Sequence, residues 1–244
     1  MKSLDSARTL LQQASRICVL TGAGFSAESG ISTFRGVGGL WRSFRPEQLA
    51  TPEAFAKDPV LVWEWYQWRR EIIAAAQPND GHHALKALED RASNFTLITQ
   101  NVDGLHQRAG SRNVIEIHGS IWTIRCTGCG TQVENHDVPL KALPPKCNCG
   151  ELFRPGVVWF GEGLNQEVWR TATMAAASAD LMIVAGTSAV VYPAVSLVPL
   201  AKSNGARIVE INVDETPVSG SVDISLRGPS GQLLPELVRN TAAN

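Results

Sequence analysis

The segment that most restricts how this chain can fold is the apolar run Arg16-Ile-Cys-Val-Leu20, followed at once by Thr21-Gly-Ala-Gly-Phe-Ser-Ala27. A buried strand running straight into small residues is how a doubly wound α/β sheet begins. Gly22, Gly24 and Ala27 fit G-x-G-x-x-G/A. In that pattern the first glycine permits a tight turn, the second lets backbone N–H groups approach a pyrophosphate, and the third small residue lets a helix pack closely. A plain strand-to-helix turn fits the same residues. The acidic residue that usually follows about 20 positions later on a second strand is missing in that form. Glu47 has the offset but sits in a Pro-rich setting without strand character. A cofactor held here is held differently from a dehydrogenase's.

Further elements alternate along the chain. The patterning predicts helices over Leu4–Ser15, Pro52–Gln77, Gly81–Ser93, Gln166–Ser178, Ala194–Ser203 and Leu233–Asn240. It predicts strands over Phe95–Thr99, Val114–Ile117, Val157–Phe160, Leu181–Ala185 and Arg207–Asn212. The alternation on both sides of a cysteine-rich stretch points to a Rossmann-like, doubly wound parallel sheet (residues 1–40, 81–119 and 156–244). A helical insert (41–80) and a small zinc-binding module (120–155) interrupt it. Gly186-Thr-Ser188 and Asn212-Val-Asp214 each follow a predicted strand, at the carboxyl ends where such sheets bind ligands.

The charges narrow the function. Twenty-two Lys and Arg against 23 Asp and Glu leave a net charge of −1, so no global basic field draws in nucleic acid or an anionic membrane. Runs such as Leu181–Ala185 are far too short to span a bilayer. The first residues lack the order of a secretory signal and the arginine-rich character of a transit peptide. A cytoplasmic monomer is the expectation.

Four of the five cysteines, Cys126, Cys129, Cys147 and Cys149, fall within 24 residues. Four thiolates around Zn²⁺ make a closed tetrahedron with no place for water, which is a structural site. A redox dithiol at Cys126-x-x-Cys129 expects a strand-helix setting that the pattern does not offer.

These motifs together resemble the sirtuin family. Gly22 to Gly36 resembles its cofactor loop, Thr99-Gln-Asn-Val-Asp-Gly-Leu-His106 its nicotinamide-side motif, and Ile117-His-Gly119 the segment with its catalytic histidine. Phe160-Gly-Glu162, Gly186-Thr-Ser188 and Asn212-Val-Asp214 follow in the family's order, with the cysteines between His118 and Phe160. Ser32 stands where the family usually has proline. The resemblance implies a protein-lysine deacylase that consumes NAD⁺, gives nicotinamide, O-acyl-ADP-ribose and free lysine, and takes acylated-lysine proteins or peptides as partners. An imidazole with a reference pKa near ~6.5 suits His118 as the base toward a ribose hydroxyl. By the same resemblance Gln100, Asn101, Val102 and Asp103 orient the ribose and the nicotinamide carboxamide. Ala23 belongs to the cofactor loop, Phe34 covers the reactive carbon, and Arg35 fixes the loop or holds phosphate. Trp41 is placed with the cofactor-binding residues, and its segment Gly38-Gly-Leu-Trp41 resembles the sirtuin class that removes acidic acyl groups. Thr187 and Ser188 supply hydroxyls and N–H groups, Asn212, Val213 and Asp214 line the adenosine side, and Ser230 gives a backbone contact near adenine. His82, His83, His106 and His136 read as ordinary polar surface or core residues. A mono-ADP-ribosyltransferase, a dehydrogenase and a non-enzymatic zinc-bearing module are the alternatives.

Tyr66 and Arg69 lie three apart on a predicted helix and share a face. They resemble the Y-x-x-R motif of the sirtuin class that removes malonyl, succinyl or glutaryl groups. An acyl chain ending in a carboxylate needs a cation and a hydroxyl, and arginine grips it bidentately. A half-buried tyrosine beside an arginine paired to an acidic neighbour is the ordinary alternative. Ala50 aligns with a small residue that widens the pocket, and acetyl-lysine fits the same tunnel. Val158, Trp159 and Phe160 are expected to offer backbone to an extended peptide.

Overall fold

The computed structural model describes residues 2–33 and 45–239. Six parallel strands form the main sheet: β1 (Arg16–Thr21), β2 (Asn94–Thr99), β3 (Val114–Glu116), β7 (Leu181–Ala185), β8 (Arg207–Asn212) and β9 (Ile224–Arg227). Their order is β3-β2-β1-β7-β8-β9. Alternation along each strand explains why both faces are covered. Ile17 and Val19 of β1 pack toward Leu11 of helix α1 (Lys2–Gln13), Leu85 of α5 (Asp80–Arg91) and Leu234 of α9 (Ser230–Arg239). Cys18 and Leu20 face the other way, toward Ala172 of α7 (Gln166–Ser178) and Leu197 of α8 (Leu197–Ser203).

A second, antiparallel sheet joins β4 (Gly119–Cys126), β5 (Gln132–Glu134) and β6 (Phe153–Val157) in the order β5-β4-β6. It shares a separate apolar core with α2 (Pro46–Leu49), α3 (Pro52–Lys57) and α4 (Pro59–Ala75), centred on Trp63, Ile73, Ile121 and Trp159. A short helix, α6 (Leu105–Arg108), follows β2. No helix among the described residues is long and apolar enough to cross a membrane.

Three expectations are corrected. The single helix over Pro52–Gln77 is two, because Asp58 accepts the Leu61 N–H at 2.9 Å as an N-cap and Pro59 opens the next helix. The strand expected at Val157–Phe160 lies earlier, as β6, and belongs to the antiparallel sheet. Among the described residues no α-helix directly follows the glycine loop. Two 3₁₀ turns, Ala23–Phe25 and Ala27–Ser29, occupy that place, and Ala27 is exposed instead of packed beneath a helix. The sequence pattern also leaves β4, β5 and β9 unmarked.

Candidate active site

Strand order reverses between β1 and β7, and a crevice opens beyond their carboxyl ends. The two loops that leave these strands are interlocked. A Cβ on Gly24 would lie 2.8 Å from the Gly186 carbonyl oxygen, and one on Gly22 would lie 2.7 Å from Thr187 Cβ. Gly186 has φ +60° and a Cβ there would meet the Phe25 nitrogen at 2.3 Å. These glycines therefore serve the mutual approach of two loops as well as any ligand. Phosphate-type ligands need such close backbone.

A cavity of about 660 Å³ starts at this crevice and runs between the main sheet and the smaller core. Ala23, Gly24, Gly186, Thr187, Ser188, Asn212, Val213 and Asp214 line its main-sheet side. Gln100, Asn101, Val102 and His118 line the middle. Ala50, Tyr66, Arg69, Val158, Trp159 and Phe160 line the far wall. Phe160, Tyr192 and Val213 are pocket-lining yet exposed, and form an apolar rim. Gly22, Ala27, Asp103 and Ser230 do not line the cavity. Ser230 is buried at the start of α9, where the next residue's N–H donates to Glu28 at 2.8 Å. Phe34, Arg35 and Trp41 lie outside the described residues.

His118 follows β3, with Nδ1 3.0 Å from the Gln100 carbonyl oxygen. A carbonyl only accepts, so Nδ1 carries the proton and Nε2 keeps its lone pair. Burial lowers the pKa of the ring below its ordinary value, against the raising effect of the Gln100 contact. The imidazole is therefore a neutral base at pH 7.

Asp103 does not touch the cavity. Its Oδ2 accepts from Ser26 Oγ at 2.8 Å and its Oδ1 from the Leu105 N–H at 2.8 Å, while Asn101 Nδ2 donates to Ser26 Oγ at 3.1 Å. Both oxygens of this carboxylate, expected to orient a ligand, are engaged with Ser26 and Leu105. Strand β4 fixes the same loop from behind: the Ile121 N–H donates to the Val102 carbonyl at 2.9 Å and Trp122 Nε1 to the Asp103 carbonyl at 2.7 Å. Nothing local in the sequence singles out Ser26 or Trp122. Ser26 sits inside the glycine motif, and Trp122 carries no local signal.

At the far wall Tyr66 and Arg69 are each 5% exposed. Trp159 Nε1 donates to the Tyr66 hydroxyl at 2.9 Å, which leaves the phenolic proton free to be given elsewhere. Burial pushes the Tyr66 pKa up to about 12, so it stays a phenol. Burial lowers the Arg69 pKa, while Tyr66 and Asp103 act to raise it. Arg154 grips Glu162 at 2.5 and 2.9 Å and lies 3.4 Å over the Trp159 ring, locking the Phe160-Gly-Glu162 turn. The N–H groups of Val158, Trp159 and Phe160 already donate to His118, Glu162 and Ala50. Strand addition there must use carbonyl oxygens, which narrows the peptide contact expected from the sequence.

The four cysteines converge at the far end of the small sheet. Cys126 Sγ is 3.4 Å from Cys149 Sγ, Cys129 Sγ is 3.7 Å from Cys147 Sγ, and all four sulfurs lie within 4.8 Å of one another. Zn–S bonds of about 2.3 Å place the corners of a tetrahedron about 3.8 Å apart. The donor set fits a structural zinc ion.

Comparison with known proteins agrees with this geometry. A family model described as "Sir2 family" matches residues 22–193. NAD-dependent protein deacylase 2 of Pyrobaculum aerophilum is 55% identical over 230 residues, covering 93% of this chain and 92% of that protein. NAD-dependent protein deacylase 1 of Archaeoglobus fulgidus is 54% identical over 231 residues, covering 94% of each. Among solved structures, a Sir2 homolog–NAD complex superposes with a TM-score of 0.92 at 52% identity, covering 97% of this chain and 93% of that one. A Sir2–p53 peptide–NAD⁺ complex gives 0.87 at 32% identity, covering 97% of each. With its glycine loop, half-buried histidine and cysteine tetrad inside a match of this extent, the chain belongs to the Sir2 family.

Proposed function

We propose that this Sir2 chain is an NAD-dependent protein-lysine deacylase that favours acyl groups ending in a carboxylate, succinyl and malonyl among them, with acetyl a secondary substrate. The observation that carries the acyl preference is the placement of Tyr66 and Arg69, buried in the wall of the cavity that also holds His118. The names of the most similar relatives support NAD-dependent deacylation, and the peptide complex of a more distant one supports a peptide substrate.

In this reaction the ribose carbon of NAD⁺ would lose nicotinamide and bond the acyl oxygen; a neighbouring ribose hydroxyl would then bond the acyl carbon, and water would add as the acyl carbon–nitrogen bond breaks, releasing free lysine and O-acyl-ADP-ribose. The remaining work belongs to the chain. Backbone around Gly24 and Gly186 has the close approach that a pyrophosphate requires. Asn101, held by Ser26, presents a fixed amide beside His118. His118 Nε2 accepts a ribose hydroxyl proton. Tyr66 donates its hydroxyl and Arg69 its guanidinium to the distal carboxylate. Ala50 keeps that wall open. Phe160 and Val158 bound the entry of the acyl-lysine.

Mass spectrometry of products from one succinyl-lysine peptide incubated with NAD⁺ tests this reading. The expected products are free-lysine peptide, nicotinamide and succinyl-ADP-ribose. ADP-ribose on protein without an acyl-ADP-ribose would replace it with ADP-ribosyl transfer. A higher kcat/KM for acetyl-lysine than for succinyl-lysine would overturn the acyl preference.

A further inference from the structure

Two histidines that the sequence assigns no role, His82 and His106, are fully buried beside the site, not in it. His82 Nδ1 accepts the Asn79 backbone N–H at 3.2 Å, so its single proton sits on Nε2. That Nε2 and the Nδ1 of His106 are both buried without a protein partner, on rings whose centroids are 4.7 Å apart. Beyond His106 runs a line of short contacts. Its Nε2 is 3.0 Å from Thr21 Oγ1, Thr21 Oγ1 is 2.8 Å from Thr99 Oγ1, and the Asn101 N–H donates to Thr99 Oγ1 at 3.0 Å.

The proton order along this line follows by elimination. Thr21 has a single hydroxyl proton and gives it to Thr99 Oγ1, so in the contact between Thr21 Oγ1 and His106 Nε2 the ring is the donor. His106 therefore carries its proton on Nε2 and donates it to Thr21, whose own hydroxyl proton goes to Thr99. Burial keeps both rings neutral, lowering His82 to about 3 and His106 well below 6.5, so each ring holds one proton throughout the working range. The line ends on the Gln100–Asn101 turn. There the Gln100 carbonyl receives His118 Nδ1, the Gln100 N–H donates to the Thr21 carbonyl at 3.0 Å, and Asn101 lines the cavity.

We infer that His106, Thr21 and Thr99 are positioning residues: a directed run of hydrogen bonds from the buried His106 holds the Gln100–Asn101 turn, and through the Gln100 carbonyl keeps His118 in the tautomer with a free Nε2 lone pair. None of the three lines the cavity, so they act through Asn101 and His118. The activity part of the test rests on the deacylase reading above; the spectroscopic part does not.

The zinc-loaded protein is compared as Thr21→Val, Thr99→Val and the double variant, with Thr21→Ser and Thr99→Ser as partners. Valine keeps the branched shape that a strand favours and removes the hydroxyl, and serine keeps the hydroxyl. Each valine variant is expected to lower kcat about tenfold, the rate equivalent of one hydrogen bond, with KM for the acyl peptide within about twofold. The serine variants recover most of that loss. The double variant is no slower than the worse single one, because both interrupt one run. Nitrogen-15 spectra should show His118 as a single Nδ1–H tautomer in the parent and as a mixture in the valine variants. Valine variants with parental kcat and an unmixed tautomer, or losses that multiply in the double variant, would overturn the inference. If Thr21→Val does not fold, Thr99→Val decides alone. If the parent shows no deacylase turnover, the functional reading fails and the His118 spectrum decides the positioning role by itself.

Discussion

Replacing Arg69 by methionine separates the two halves of the acyl-specificity argument. Methionine keeps much of the arginine stem's volume and apolar contact, so the packing against Trp65, whose ring lies 5.5 Å from the guanidinium carbon, is largely retained. The charge and the planar donors are lost. Arg69 is 5% exposed, so a carboxylate delivered to it is also stripped of water. Removing one partner of a desolvated, hydrogen-bonded charge pair costs about 3–5 kcal/mol, since the stranded carboxylate adds its own penalty. At 1.36 kcal/mol for each factor of ten, kcat/KM for succinyl-lysine should fall roughly 10²- to 5 × 10³-fold. Acetyl-lysine has no distal charge, so its kcat/KM should stay within about threefold. Competition between matched succinyl and acetyl peptides, with nicotinamide release and acyl-ADP-ribose quantified together, measures both numbers in one vessel. Equal losses on the two substrates would mean that Arg69 holds the fold or the cofactor and does not read the acyl chain.

Other consequences can be checked independently. His118→Ala should remove turnover by a factor of about 10² or more while leaving the melting temperature within a few degrees, and retained activity would exclude His118 as the base. Gly186→Ala, with φ +60° and a Cβ 2.3 Å from the Phe25 nitrogen, should cost more than about 3 kcal/mol, whereas Gly161→Ala, at φ +85° with nothing within 4 Å, should cost about 1–2 kcal/mol; denaturant melts that rank them the other way would refute the interlocked loops. Chelation or Cys147→Ser should lower the melting temperature by roughly 10 °C or more together with activity, and an unchanged melt after full metal removal would contradict a structural zinc. His82, held down to about 3, refuses a proton that the unfolded chain takes near ~6.5, so this group withdraws about 2 kcal/mol of stability as pH falls from about 7 to about 5; a ring resonance that titrates near pH 6.5 in the folded protein would disprove that.

The parts of the structure readable in the sequence are those where one physical rule acts locally. Leu181–Ala185 is buried on both faces of a parallel sheet and its unbroken apolar character marks it to the residue, while Ile208, Val209 and Ile211 mark Arg207–Asn212 on either side of the buried Glu210. Gln166–Ser178 starts on an asparagine cap and repeats its small apolar residues at helical spacing. The cysteine pairs declare a tetrahedron by count alone. What escaped reading depends on partners distant in the chain. Strand β4 lacks the continuous apolar run of the parallel strands, because Trp122 and Thr123 on it are only half buried. The break at Asp58-Pro59 was legible as a cap followed by proline, but the aromatic run behind it dominated the pattern. Within the site, Asp103 was visible as a residue type, yet only the fold shows both its oxygens spent on Ser26 and Leu105.

Asp103, behind the cavity wall, couples the two ends of the pocket. A buried guanidinium in an apolar wall is costly, and Asp103, itself buried with its pKa raised, is one of the charges that favours the Arg69 cation. The same carboxylate fixes Ser26 and through it Asn101, and its backbone carbonyl is tied to Trp122 on the strand that ends at Cys126. A carboxylate arriving on the acyl-lysine would take over the compensation of Arg69 and relieve Asp103 of it, leaving Asp103 to its bonds with Ser26 and Leu105. With a neutral acyl group Asp103 keeps its share of that compensation, beside Tyr66. The proposed acyl preference would then have two sources, direct contact at Tyr66 and Arg69 and a firmer hold on Asn101. On that account Asp103→Asn should narrow the ratio of succinyl to acetyl turnover in kcat, and not in KM alone. A ratio unchanged in kcat would confine the preference to direct contact.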